Sequence, residues 1–593
     1  MDERAKRRFT APTIEAIDWS PAAPGRLGVV SNESGRSDAW GWDLPAGERR
    51  LASTTGVGAE EAHVLPDGSG VVWWLDRVGD ERGRWMVTPL GSGPSRPLAA
   101  AVPEGWMMGI SLVGDAVALG LSTEDGYSVH LARDATPARE LYRSEGAAGV
   151  GREYPQGEGG LSADAALLCI RHSEKSDISH PAIRMLDTRS AEPVGEQFDE
   201  AMFLDPVAWS PITGDQRLAF IQERSGIERP AVLDVAAGER TDIELPDRPG
   251  PVYPMGWFPD ASSLLLLHEE TGRQQLLRYD LSSQAVTEII ADLAGTISFA
   301  RFRPDGDLWI RFASSLEPAA IRDRQGKEVL SLDGETAPSG RRFTPTMFQN
   351  RHGQDIHGFI VAPEGEGPFP AIVSVHGGPE WHHTDDYDPE TLAYTDHGFA
   401  VVLVNYRGST GYGRAHREAI KGNIGFPESE DIVAALDHAI TSGVADPDRV
   451  FLEGWSWGGY LAMLNAGRNP DRWRAVAAGI PAGDYVAAHY ECAPTLRAWD
   501  IATLGGSPMD LPELYRERNP LTYVDSVRGP MIVIAGENDS RCPLGSVMIY
   551  AHALRVRGKP VEVHLFPAGH HANDVTERIR RVELVVEFFR RYL

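Results

Sequence analysis

One phrase recurs along the first half of this chain: an apolar pair, then Ser-Pro or Pro-Asp-Gly, then an apolar strand. It reads IDWSPAAPGRLGVVS from Ile17, HVLPDGSGVVWWL from His63, LSADAALLCIRH from Leu161, VAWSPITGDQRLAFIQ from Val207, MGWFPDASSLLLLHE from Met255 and FARFRPDGDLWIRF from Phe299. A weaker copy, GISLVGDAVALGLS, starts at Gly109. Most copies are followed by another strand and a Gly-containing turn, as in PAVLDVAAGE from Pro230. Short strands that repeat every ~40–50 residues read as blades of a β-propeller, with about four antiparallel strands per blade. A large β-sandwich would have to produce the same phrase by chance. The copies predict seven blades.

The pattern changes from about residue 345. Buried-strand runs (FPAIVSVHG, FAVVLVNYRG, RVFLEGWS, AVAAGIPA, PMIVIAGEND, VEVHLFPAGH) alternate with helical stretches such as ESEDIVAALDHAITSG and TERIRRVELVVEFFRRYL. Strand–helix alternation predicts an α/β-hydrolase domain built on a doubly wound, mostly parallel sheet. The turn-rich segment LDGETAPSGRR, 332–342, places the division: a propeller domain over 1–335 and a catalytic domain over 336–593.

Charge narrows the partners. Lys and Arg total 57 against 85 Asp and Glu, a net charge of −28. Such a surface repels phosphate backbones, so nucleic acid is not an expected partner. No stretch reaches ~18 uninterrupted apolar residues, so no membrane span is expected. The first ten residues, MDERAKRRFT, carry no signal-peptide core. Cys169, Cys492 and Cys542 are widely spaced and odd in number, which suits a reducing, cytoplasmic location. A homo-oligomer is left open.

The chemistry is concentrated at Gly454-Trp455-Ser456-Trp457-Gly458. A strand precedes it and a helix follows, the context of a G-x-S-x-G nucleophile elbow; its glycines permit a turn that exposes a strained serine. Ser456 is the expected nucleophile. The acid and the base should follow in that order at the ends of later strands. Asp539 ends one such strand and is preferred to Glu537, which stands earlier in the turn. His570 ends the next. His571 stands beside it, and Gly569 favours His570 without closing the choice. An oxyanion hole needs two N–H donors: Trp457, next to the nucleophile, and Gly378 in the loop His376-Gly377-Gly378-Pro379. Arg541 could meet a substrate carboxyl or carbonyl, or form an internal ion pair. The run Trp381-His382-His383-Thr384-Asp385-Asp386 lacks ligand spacing and reads as a loop beside the site, so no metal and no cofactor are expected.

At these residues the chain resembles the prolyl oligopeptidase family of serine peptidases, nearest its acylaminoacyl-peptidase and aminopeptidase branch. The resemblance rests on HGGP, VNYRGSTGYGR from Val404, GWSWGGY, GENDSRCP and AGHH, in that order. It departs at His571, where the family usually has Gly. It implies that Tyr485 and Trp499 help shape the pocket for the residue before the cleaved bond, and that the propeller admits only short peptides or small amides. The expected function is hydrolysis of short peptides, or of aminoacyl or acylaminoacyl amides, at the N-terminal end through an acyl-enzyme. Two alternatives remain: an amide hydrolase or esterase acting on an aminoacylated small molecule, and a propeller binding protein with an inactive hydrolase domain. No paired-glutamate anchor for a free amino terminus is evident. Glu223, Glu269 and Glu270 are the candidates, with solvated blade edges as the plainer reading.

Overall fold

Each copy of the repeated phrase falls on a hairpin, and its turn chemistry explains the bend. At Pro304-Asp305-Gly306, Gly306 has φ +87° and returns its N–H to Arg303 O at 2.9 Å. Gly68 does the same toward Leu65 O at 2.8 Å with φ +72°. This left-handed conformation costs glycine nothing. The computed structural model describes residues 1–133, 137–151, 159–290 and 294–593. Among these, antiparallel sheets of four strands lie over residues 14–51, 148–197, 205–242, 252–288 and 296–330, and one of eight strands over residues 63–144.

The sheets pack face to face in a propeller-type arrangement. Period-two alternation sends Leu218 and Phe220 toward Ile183 and Met185 of the preceding sheet, and Ala219 and Ile221 toward Leu264 and Leu266 of the next. The tryptophans of the phrase fasten neighbours together: Trp209 donates its indole N–H to Gly160 O at 2.8 Å and Trp257 to Ala208 O at 2.9 Å.

The remaining elements build the second domain. Helix α1 (Glu3–Thr10) comes from the start of the chain yet packs here. The strands are β1 (Thr344–Gln349), β2 (Asp355–Val361), β3 (Phe369–Val375), β4 (Ala400–Asn405), β5 (Ala445–Trp455), β6 (Ala475–Gly479), β7 (Met531–Gly536) and β8 (Val561–Phe566). The helices used below are α2 (Pro389–Asp396), α3 (Phe426–Thr441), α4 (Trp457–Arg468), α5 (Tyr485–Glu491), α6 (Pro494–Leu504), α7 (Leu544–Val556) and α8 (Val575–Arg590). The sheet order is β1-β2-β4-β3-β5-β6-β7-β8, with β2 antiparallel to both neighbours and every other pair parallel.

Both faces of this sheet are covered, which is why its strands read as unbroken apolar runs. Val373, Leu452 and Val533 point to the face under α3 and α4, whereas Ile372, Phe451 and Ile532 point to the face under α2 and α8. Val582, Val585, Val586 and Phe589 form the helical stripe that buries α8 there. Ala5 and Phe9 of α1 join the same cluster, and Arg8 pairs with Asp396 at 2.7 Å. No helix among the described residues is long and apolar enough to cross a membrane.

Candidate active site

Strand β5 delivers Ser456 at its carboxyl end, where the chain reverses into α4. The serine has φ +57° and ψ −119°, a strained setting for a side-chain-bearing residue. The flanking glycines are obligatory. A Cβ on Gly454 would lie 2.4 Å from Gly458 O, and one on Gly458 would lie 2.0 Å from Val375 O.

Ser456 Oγ is 2.9 Å from His570 Nε2. His570 Nδ1 lies 2.9 and 3.0 Å from the two carboxylate oxygens of Asp539. Asp539 Oδ1 also accepts the N–H groups of Arg541 at 2.9 Å and Cys542 at 2.8 Å, which fixes its orientation. The three side chains come from the ends of β5, β7 and β8, on one rim of the parallel sheet. His571 is turned away: its imidazole is 44% exposed and faces Glu60 and Glu81 at about 4 Å. Glu537 is exposed and apart from the imidazole pair.

The two expected N–H donors lie just after the serine and in the glycine loop after β3. Trp457 is the first residue of α4, so its N–H has no acceptor inside the helix. Gly378 lies in the loop after β3 with φ +117°, and Gly377 approaches so closely that its Cβ would lie 3.8 Å from Ser456 Oγ. Beneath this loop, the buried His376 ring stacks on Tyr406 at 4.1 Å, and Tyr406 Oη donates to His376 O at 2.8 Å. Burial holds the His376 imidazole well below its ordinary range, hence neutral.

Above the rim lies a cavity of about 550 Å³ between the two domains. Trp74, Met107 and Phe203 line it from the propeller side, and Pro379, Leu496 and Trp499 from the other. Trp499 packs edge-on against Trp457, with ring centres 5.3 Å apart. Tyr485 stands one layer back from the cavity. It is buried behind Trp457, gives its hydroxyl to Asp500 at 2.6 Å, and supports the pocket wall without lining it. Arg541 lines the cavity, but its guanidinium pairs with Glu81 of the propeller at 2.8 Å. Burial would raise the Glu81 carboxyl; Arg541 outweighs that and leaves it below the usual range.

Two of the three glutamates considered for an amino terminus, Glu223 and Glu269, are spent on the domain interface, which corrects the solvated-edge reading for them, whereas Glu270 is exposed. Glu223 is fully buried and accepts from Arg417 at 2.8 and 2.9 Å and from the Phe203 N–H at 2.7 Å, while Glu228 accepts from Arg417 at 3.0 Å. Glu269 pairs with His382 at 2.6 Å. Asp385 takes Arg273 at 2.8 Å. The His382–Asp386 run is thus a partly buried interface loop, and no cluster of metal-ligating side chains occurs among the described residues.

Three features lay outside the sequence reading. Glu428, at the start of α3, is fully buried near Trp457 with no ion-pair partner among the described residues. Glu380 follows the glycine loop. Its signal was an acidic residue two places past Gly378. The third is the propeller segment 76–81, which braces the catalytic loops: Asn538 Nδ2 donates to Val78 O at 2.9 Å, and Gly79 abuts Gly569.

The sheet order, the strand–serine–helix turn and the imidazole pairing define a chain of the α/β-hydrolase class with a serine-centred triad. Residues 385–593 match the model of the prolyl oligopeptidase family, and the chain carries a domain of that family. The human acylamino-acid-releasing enzyme is 28% identical over 360 residues, covering 55% of this chain and 48% of that protein. The dipeptidyl aminopeptidase BIII of Pseudoxanthomonas mexicana is 25% identical over 435 residues, covering 68% and 62%. Thus the chain spans about half to three-fifths of these curated relatives' lengths. A crystal structure of puromycin hydrolase superposes over 100% of this chain and 96% of its own, with a TM-score of 0.80 at 18% identity, a likeness of fold.

Proposed function

We propose that the chain is a serine peptidase that hydrolyses short peptides, or aminoacyl or acylaminoacyl amides, at their N-terminal end. The observation that carries this reading is the 2.9 Å contact between Ser456 Oγ and an imidazole whose other nitrogen is held by Asp539. Ser456 attacks the carbonyl while His570 takes its proton. The tetrahedral oxyanion is held by the N–H groups of Trp457 and Gly378. His570 then protonates the leaving amine, and water repeats the sequence on the acyl-enzyme. Asp539 fixes the imidazole tautomer and stabilises its charged form. Trp499 and Arg541 border the substrate. No step calls for a metal or an organic cofactor.

Two organisational readings accompany it. The eight-stranded sheet divides naturally where residues 82–83 meet 105–106, and counting it as two blades gives seven. The domain division is taken at 335/336, with α1 crossing it. Short peptides or small amides are the partners, and the acidic surface argues against nucleic acid.

A second reading, hydrolysis of an aminoacylated small molecule, is favoured by the cavity: about 550 Å³ is the size of a site for one small ligand. A panel of peptides against aminoacyl small molecules separates the two. For both, Ser456→Ala lowers aminoacyl arylamide hydrolysis by roughly 10⁴-fold or more with an unchanged thermal midpoint. Retained turnover in that variant removes the assignment.

A further inference from the structure

Resting on the serine-peptidase reading above, we infer that Glu380 binds the free α-ammonium group of the substrate's first residue, so that unblocked aminoacyl amides, and not N-acylated ones, are the substrate class. In an aminoacyl substrate the amine is two bonds from the carbonyl carbon. Its partner must therefore stand beside the groups that hold the oxyanion. Glu380 does so from both sides. It is two residues past Gly378, and its Oε1 accepts the Trp499 indole N–H at 3.2 Å, the ring packed on Trp457. The carboxylate is thereby tied to the neighbours of both proposed N–H donors and lines the cavity.

It also has no cation of its own. Among the described residues no Lys, Arg or His pairs with Glu380. Other acids of the cavity are occupied: Glu81 by Arg541 at 2.8 Å, Glu61 by His63 at 3.1 Å, and Asp76 by the N–H groups of Gly79 and Glu81 at 2.7 and 2.8 Å. Arg417 is near enough to feel Glu380, but its guanidinium is bound to Glu223 and Glu228. The Glu380 carboxylate is exposed at the cavity mouth and has no cation of its own, so a ligand seated there that brings an ammonium gains a charge-assisted hydrogen bond. An N-acetyl group would instead place a neutral amide against it and forfeit the ion pair. Glu60 is the comparison residue: it lines the same cavity, on the propeller side, beside His571.

The test measures kcat/KM for Ala and Phe p-nitroanilides, free and N-acetylated, in the full chain and in the Glu380→Gln and Glu60→Gln variants. The wild type is expected to prefer the free amine by about 100-fold or more, because truncating one partner of a close charge pair typically costs that much. Glu380→Gln should bring the ratio to within about tenfold of unity, and Glu60→Gln should keep it. A wild type that prefers the acetylated substrate overturns the inference without needing a variant. So does a ratio unchanged in Glu380→Gln, or one that collapses equally in Glu60→Gln. Fluorophosphonate labelling of wild-type Ser456 separates the levels: labelling with the wrong preference defeats only the role of Glu380, whereas no labelling and no turnover defeats the peptidase reading itself.

Discussion

Glu428 carries a consequence of burial that the triad alone would not suggest. Burial pushes its carboxyl up to about 8, and the N–H groups of Gly425 and Glu428 at the start of α3 only partly oppose this. The group is therefore protonated at neutral pH, beneath the residue whose amide is proposed to hold the oxyanion. The sign follows from linkage. A carboxyl whose folded value is raised keeps its full contribution below the ordinary range, near 4.5, and loses it as pH climbs through about 8. Full coupling amounts to about 1.4 kcal/mol per pH unit across that window. The expected outcome is a wild-type unfolding midpoint that drops between about pH 5 and pH 8 and levels off above it, and a flatter profile for Glu428→Gln. The same ionisation puts negative charge near the oxyanion, so kcat should fall above pH 8 in the wild type and persist to higher pH in the variant. Parallel profiles in the two proteins would contradict this. Nothing in FPESED marks Glu428 in sequence as different from the acids around it; only the packing of Tyr406, Trp457 and Tyr460 makes it so.

At the scale of elements, the catalytic loops are held from outside their own domain. Gly79 of the propeller segment has φ +93°, and a Cβ there would lie 2.4 Å from Gly569 N, one residue before His570. Gly79→Ala must shift either the propeller segment or the histidine loop. A displacement of about 1 Å at the imidazole is expected to lower kcat/KM by roughly 100-fold. Global stability should fall by only about 1–3 kcal/mol of local strain. Steady-state kinetics beside thermal unfolding checks both. The elements themselves were legible. Apolar runs of strand length located β3 to β8, and the Pro-Asp-Gly turns located the hairpins, because both are written in local chemistry. The triad was legible for the same reason, since strand ends and glycine turns bring Ser456, Asp539 and His570 to one rim. Choosing His570 over His571 needed coordinates: adjacent residues point to opposite sides of the loop, and sequence does not say which side faces the serine. That Tyr485 lies beneath the pocket wall and not on its surface also needed coordinates, because the two placements look alike in sequence.

Across the whole molecule, the two domains meet through charge. Arg417–Glu223, Arg417–Glu228, Arg541–Glu81, His382–Glu269 and Arg273–Asp385 all join the propeller to the hydrolase domain. Each partner lies more than one hundred residues from the other, so no local pattern announces the pairing. That is why Glu223 and Glu269 read as solvated edges. Arg417 is the centre of this interface. Among the described residues it is the cation ion-paired with the two buried carboxylates, and burial already raises Glu228 above its ordinary range despite the guanidinium beside it. Removing one member of such a group leaves uncompensated charge, at a cost of about 3–5 kcal/mol. Arg417→Met should therefore lower the unfolding midpoint sharply at pH 8. The two stranded glutamates can take up protons at lower pH, where their repulsion and desolvation cost fade, so the deficit should be smaller at pH 5.5. A triple variant, Arg417→Met with Glu223→Gln and Glu228→Gln, should recover much of the loss at pH 8, because neutral side chains need no cation. If the single variant loses the same amount at both pH values, the interface is held by packing and these ion pairs are incidental to it.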